Sequence, residues 1–210
     1  TLNWLGPDAL DNMETGLCLR MLEHILLGLP ASPLRRALLE SGLGEDLAGQ
    51  GLEAELRQPA FDTGLKGVEP ARVDEVEALI LQTLRDLAAG GVSAASVEAA
   101  VNSVEFSLRE NNTGRFPVGL SVMLRSLAGW LYGGDPLAPL RFEEPLARIK
   151  AKLAQGLPLF ENLIQTLLLD NPHRVTVILE PDPSLAARQE EEERAELAAE
   201  FDLADAPAAA

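Results

Sequence analysis

The 210 residues, 47% hydrophobic and 24% charged, make a chain long enough to bury roughly two-thirds of the surface its unfolded form exposes, which excludes collagen-like and wholly disordered polymers. Its 17 basic and 33 acidic side chains leave a formal charge of −16, which repels phosphate backbones and anionic lipid over a Debye length of roughly 8 Å, so no nucleic-acid partner is expected. Apolar runs such as Ile25-Leu26-Leu27 and Leu167-Leu168-Leu169 stop far short of the roughly 18 residues of a membrane-spanning helix, so no membrane partner is expected either.

Thr1-Leu2-Asn3-Trp4-Leu5 alternates like a strand and has neither a basic flank nor an apolar signal core, so the start reads as a cut through a longer protein. Gly6-Pro7 and Gly28 bracket a long helix in which Leu10, Leu17, Met21 and Ile25 recur at helical spacing. The single cysteine, Cys18, lies in the middle of that helix, can form no internal disulfide, and reads as a small buried side chain. Leu29 to Pro33 is a turn, and Leu34, Leu38 and Leu39 before Ser41-Gly42 predict a short second helix with a glycine stop.

Between 46 and 68 the pattern changes from a helical period to a period of two. Leu52, Ala54 and Leu56 alternate with Glu53, Glu55 and Arg57, and residues 61–68 supply a partner strand across Gln58-Pro59, so a hairpin or meander is expected. The glycines at 49, 51, 64 and 67 serve bends or close strand approach, because none has the strand-glycine-helix context of a phosphate loop. Pro70 suits a first helical position, and Val73, Val76, Ile80, Leu84 and Leu87 predict a helix that ends at Ala89-Gly90-Gly91. Ser93 caps the next helix, with Val97, Val101, Val104 and Leu108 as its buried face, and the two form a helical hairpin.

Arg109 to Pro117 is a polar turn, after which Leu120, Leu124, Leu127 and Leu131 predict a helix up to Gly133-Gly134. A Pro-rich connector from Asp135 to Pro139 leads to helical stretches around 144–155 and 157–169. The segment from Arg174 to Glu180 is dominated by β-branched residues and is expected to lie inside the sheet. Eight acids and two arginines between 184 and 210 compose an exposed, alanine-rich helix that frays without a surface to pack on. The expected organisation is an α/β domain over 1–183 and an acidic helical unit over 184–210. The fold class is α+β, a two-layer domain with an antiparallel or mixed sheet covered on one face by helices.

Five blocks stand out beyond their periodicity: Leu26-Leu27-Gly28-Leu29-Pro30-Ala31-Ser32-Pro33-Leu34-Arg35, Leu39-Glu40-Ser41-Gly42-Leu43-Gly44, Gly64-Leu65-Lys66-Gly67-Val68, residues 104–114, and Asn171-Pro172-His173-Arg174-Val175-Thr176-Val177. In that order they resemble the presequence protease branch of the pitrilysin and insulin-degrading-enzyme superfamily of zinc metallopeptidases, over nearly everything from residue 1 to about 183. The resemblance implies a parent of four related α/β domains in two halves that close around short unfolded peptides. It places this chain as the second, non-catalytic domain, with the acidic segment as the start of the connector between halves.

The family holds zinc in an inverted H-x-x-E-H motif on a helix, where two imidazoles one turn apart bind the metal and the glutamate activates water. That motif belongs to the family's first domain. In this chain Arg20-Met21-Leu22-Glu23-His24 is similar to a degenerate copy, with Arg20 where the first histidine would stand and Glu23 and His24 in the remaining places. No metal site and no catalytic residue is therefore expected here. His24 reads as a helix histidine and His173 as a turn histidine, and Cys18 lies in an apolar helix with no nucleophilic machinery beside it.

Asn111, Asn112 and Arg115 are the candidate peptide contacts, with the alternative that asparagine and glycine here only shape the turn. The surplus acid could steer basic peptides or could be a solvated surface. The resemblance implies zinc in the parent protein and none in this chain. It implies as partners the catalytic domain, the second half of the same parent chain and an unfolded peptide substrate. The compartment implied is bacterial cytoplasm, or alternatively a mitochondrial or plastid matrix. The function expected is a non-catalytic, chamber-forming domain of a zinc metalloendopeptidase, inert by itself. A stand-alone inactive homologue acting as a binding or assembly subunit is the alternative, and an unrelated α/β binding module is the third reading.

Overall fold

Strand β1 (Leu2–Leu5) lies between β3 (Ala60–Lys66) and β4 (Arg174–Thr176), antiparallel to both, and β2 (Asp46–Glu53) pairs antiparallel with β3, which gives a four-stranded sheet of order β2-β3-β1-β4. The register sets Leu2 opposite Thr63 and Trp4 opposite Phe61, so the period of two carries these side chains to one face. That face is buried, and the Trp4 and Phe61 rings meet at 5.8 Å between centroids. The computed structural model describes residues 1–8, 12–110 and 114–204. Its mixture of helices on an antiparallel sheet is the α+β arrangement expected from the sequence.

Helix α1 spans Met13–Glu23 and runs into a π-helical turn over His24–Gly28. The expected start at Pro7 is too early, because the Asn12 side chain accepts the Thr15 N–H at 3.0 Å and fixes the cap there, while Asp8 pairs with Arg57 at 2.8 Å. Leu10 lies outside the described residues. Helix α2 (Pro33–Glu40) follows the turn, where Ser32 Oγ accepts the Leu29 N–H and donates to the His24 carbonyl. Met13–Glu40 has the length and apolarity of a membrane-crossing segment. It is nevertheless broken at that turn, and Leu17, Met21, Ile25, Leu26, Leu34 and Leu38 are buried in the core.

The β2–β3 hairpin has a register shift between Ala48 and Gly51, the signature of a bulge that bends the strand. The alternation of Ala54 and Leu56 with charged neighbours does not extend β2, which ends at Glu53; residues 54–58 instead form the bend. Helix α3 (Val73–Gly90), entered through a 3₁₀ turn at Pro70–Arg72, buries Val76, Ile80, Leu81 and Leu84.

Helix α4 (Ala94–Glu110) has Ser93 Oγ accepting the Ser96 N–H. It does not fold back on α3 as a hairpin. Its buried Ala100 and Val101, with Val97, Val104 and Leu108 around them, pack toward α1 and its π-helical turn. Tertiary packing of the small Ala100 face decides this, and no local signal encodes it.

Helix α5 (Val118–Trp130) buries none of its side chains fully. Helix α6 (Glu143–Ala154) is clamped to α1 by Glu14, which accepts from Arg148 at 2.8 Å and Lys152 at 2.5 Å. Helix α7 (Leu159–Leu163) widens into a π-helical turn over Ile164–Leu169, whose Ile164 and Leu168 enter the core with Phe160. Strand β4 was expected inside the sheet and is instead an edge, with Arg174, Val175 and Thr176 all exposed. β-Branching reports fitness for a pleated strand and not which strand is covered.

The chain divides after Val177 into two units. The second unit contains helix α8 (Leu185–Ala204), whose described side chains are exposed and whose Arg188 pairs with Asp182 and Arg194 with Glu190.

Candidate functional site

Helix α1 is amphipathic: Leu17, Met21 and Leu22 point into the core, and the opposite face carries Arg20. A cavity of about 370 Å³ opens over that second face. Its walls are α1, the bend after β2, the end of α4 and helix α5, and Leu52, Leu108, Phe116 and Leu124 make much of it apolar. Four charged residues enter this apolar setting: Arg20, Glu55, Arg57 and Arg125. Arg57 is held by Asp8 at 2.8 Å. Arg20 is exposed at the cavity yet is crowded by surrounding chain. That crowding and the like charge of Arg125 hold its guanidinium below the ordinary arginine value, while Glu55 acts in the opposite direction.

Of the three residues of the degenerate motif, only Arg20 lines the cavity. Glu23 lies against the bulge of β2, where a Cβ on Gly51, whose φ is +81°, would come within 3.2 Å of its Cγ and Oε1. Burial raises the Glu23 carboxyl above the usual carboxylate value, and the charge of His24 opposes this. The His24 ring covers Gly28, with Nδ1 only 2.6 Å from where a Cβ on that glycine would stand. Its Nε2 is buried without a hydrogen-bond partner among the described residues.

These residues do not fit a zinc ion. A guanidinium carries no lone pair for a metal, and adjacent Glu23 and His24 are committed to separate packing contacts. Among the described residues no three His, Cys, Asp or Glu side chains are grouped to hold a metal. Cys18 is buried, and that burial, aided by the charge of Glu14, pushes its thiol up to about 11, so it lacks the thiolate character of a nucleophile.

The candidate peptide contacts are distributed differently. Asn111 and Asn112 lie outside the described residues. Arg115 is exposed and does not line the cavity, whereas its neighbour Phe116 does. Sequence reasoning missed Arg125, Leu52 near the end of β2, and the bend residues Glu55 and Arg57. Arg125 had a signal, since it is the single charged residue in the otherwise apolar Val118–Trp130. The bend residues had none, because their alternation with Ala54 and Leu56 reads as strand.

Residues 1–104 match the family described as Peptidase M16 inactive domain. Over 195 residues, 92% of this chain, the sequence is 50% identical to presequence protease 1, chloroplastic/mitochondrial, of Arabidopsis thaliana. It is 34% identical over 192 residues, 91% of the chain, to protein HypA of Clostridium perfringens. The chain spans 18% of the length of the first and 19% of the second. A crystal structure of a candidate zinc protease from Bordetella pertussis Tohama I superposes with a TM-score of 0.63 at 18% identity, covering 86% of this chain and 92% of that one, and shares its fold.

Proposed function

This chain belongs to the M16 peptidases, as an inactive peptidase domain homologous to the presequence proteases, and on that premise we propose that it forms a non-catalytic wall of a chamber in which a zinc metalloendopeptidase degrades short unstructured peptides. The carrying observation is the replacement at the motif itself. Where a metal-binding helix presents His, Glu and His, this one presents Arg20 to a cavity and packs Glu23 and His24 elsewhere.

Hydrolysis would then be supplied by a partner domain that carries an intact H-x-x-E-H helix, and this domain would supply surface. Helix α5 supports that role. Met123, Leu124 and Trp130 are exposed on it, with Leu131 just beyond, an apolar surface of the kind that packs on another domain. Asn111, Asn112 and Arg115 remain proposed peptide contacts, and the acidic segment from 184 a proposed connector between halves. Its surplus negative charge would draw basic peptides toward the parent enzyme. Organellar and bacterial relatives support a matrix or a bacterial cytoplasmic setting equally.

The test compares the chain alone with the chain joined to an M16 domain bearing H-x-x-E-H. The chain alone is expected to bind no stoichiometric zinc and to leave an unfolded basic peptide intact, while the joined protein cuts it until a chelator is added. Stoichiometric zinc on the isolated chain, with chelator-sensitive cutting, would overturn the reading. A rate on basic peptides that does not fall as salt rises would remove the steering element alone.

A further inference from the structure

The main chain of the edge strand β4 alternates in what it faces. The Leu5 N–H donates to the His173 carbonyl at 3.0 Å, and Thr1 and Val177 each donate to the other's carbonyl at 2.8 Å, so the odd-numbered residues are spent on β1. An antiparallel ladder turns the intervening residues the other way, and the N–H and C=O of Arg174 and Thr176 therefore point to the free edge. The opposite edge, β2, is blunted by its bulge between Ala48 and Gly51. Residues 173–180 include no proline, lysine or glycine, the residues that discourage pairing at an edge. Val175, Val177, Ile178 and Leu179 are 48–95% exposed.

This stretch is complementary to its own reverse. Reading Arg174-Val175-Thr176-Val177-Ile178-Leu179-Glu180 in both directions about Val177 sets Arg174 opposite Glu180, Val175 opposite Leu179 and Val177 opposite itself. Cation meets anion at the ends, and apolar side chains meet in the middle. The parity agrees, because the pairs Arg174 with Glu180 and Thr176 with Ile178 join even-numbered residues, whose main-chain groups face outward as the strand continues. Among the described residues neither the Arg174 nor the Glu180 side chain makes an ion pair or hydrogen bond, so both charges are available. An arbitrary extended peptide could take the same main-chain bonds without matching these charges. A second copy of the chain matches them by symmetry.

We propose that two copies of this chain join edge to edge through residues 174–180, antiparallel, with the two-fold axis at Val177 and an Arg174–Glu180 ion pair at each end. Residues 178–180 then continue β4 past Val177, where β1 offers no further partner. The interface is the same patch on both copies and closes at two, because each copy spends its free β4 edge on the other. The inference stands apart from the chamber reading and does not depend on it.

Sedimentation velocity of the 210-residue chain tests this, at about 0.15 M salt so that the net charge of −16 on each copy is screened. A monomer–dimer equilibrium is expected between about 1 and 100 μM, a range suited to an interface below about 1,200 Å². Arg174→Glu and Glu180→Arg are each expected to weaken the dimer about tenfold or more, because each sets like charges opposite one another at both ends. Glu180→Arg also reduces the net negative charge, so its weakening separates the specific pair from general repulsion. Arg174→Glu combined with Glu180→Arg restores both ion pairs in reverse and is expected to dimerise as the wild type does. An equimolar mixture of the two single variants is expected to form a mixed dimer, and circular dichroism checks that each variant is folded. Growth beyond a dimer, a dimer indifferent to the single substitutions, or one that the double variant does not regain overturns the proposal. So does a chain that stays monomeric throughout, including one whose β4 amides are protected from hydrogen exchange by an added extended apolar peptide.

Discussion

The indole Nε1 of Trp4 donates a buried hydrogen bond of 2.7 Å to the carbonyl oxygen of Leu168. It joins β1 to the π-helical turn at residues 164–169, two segments 164 positions apart in sequence. Leu168 lies in the last turn of that helix, where a carbonyl has no amide further along the helix to accept from, and the sheet supplies the donor that occupies it.

Trp4→Phe keeps an aromatic ring near Phe61 but removes the N–H together with part of the buried indole, so a small cavity adds to the loss of the hydrogen bond. The Leu168 carbonyl is then left buried without its donor, at an expected cost of about 1–3 kcal/mol. Urea unfolding of the two proteins checks this; an unchanged midpoint would mean that the carbonyl finds another donor.

Glu14 joins α1 to α6 by accepting from Lys152 and Arg148, and the hydrogen bonds from these two side chains, Lys152 first, hold its carboxyl below the usual carboxylate value. A lowered folded-state value means that the contribution is complete above the unfolded carboxylate value of about 4.3 and is lost as pH falls through the lower folded value. Glu14→Gln is therefore expected to cost up to about 1 kcal/mol near pH 7, because both cations are partly exposed, and to cost progressively less at acid pH. Thermal melts of wild type and variant between pH 7 and pH 3 should converge at the acid end.

Gly64 sits in β3 close against the backbone of Thr1. A Cβ there would stand 2.8 Å from the Cα of Thr1, a backbone atom that cannot rotate away. Gly64→Ala is expected to destabilise by about 1–3 kcal/mol through forced separation of the strands. Gly16→Ala, inside α1 with nothing within 4 Å of the new atom, is expected to stabilise by about 0.5–1 kcal/mol. Melting temperatures should move in opposite directions for the two variants.

Cys18 should be inert in the folded protein. With its thiol pushed up to about 11, the thiolate fraction at pH 8 is on the order of one in a thousand, and the sulfur is buried besides. Iodoacetamide at pH 8 is expected to label the chain only in denaturant. Rapid labelling of the native chain would show that α1 opens locally.

Periodicity makes most of the elements readable, since the stripes of α3 and the alternation of β1 each follow from local geometry. The sequence also shows that Arg20-Met21-Leu22-Glu23-His24 is not an intact H-x-x-E-H, because an arginine stands at its first position. The readings that fail turn on a cap, a bend or a packing contact that the apolar period does not mark. Helix α1 starts at Met13 because Asn12 caps it, β2 stops at Glu53 where the hairpin bends, and Ala100 carries α4 onto α1.

The amino-acid sequence alone determined which elements exist, the α+β class, the net negative charge and the absence of an intact H-x-x-E-H, because each depends on residue type and near-neighbour spacing. Tertiary structure alone decided that β4 is an exposed edge and that Arg20 and Arg125, 105 positions apart, share one apolar cavity with the bend after β2. Strand order and the meeting of distant side chains arise from how buried faces pack together, and no local pattern in the chain records that packing.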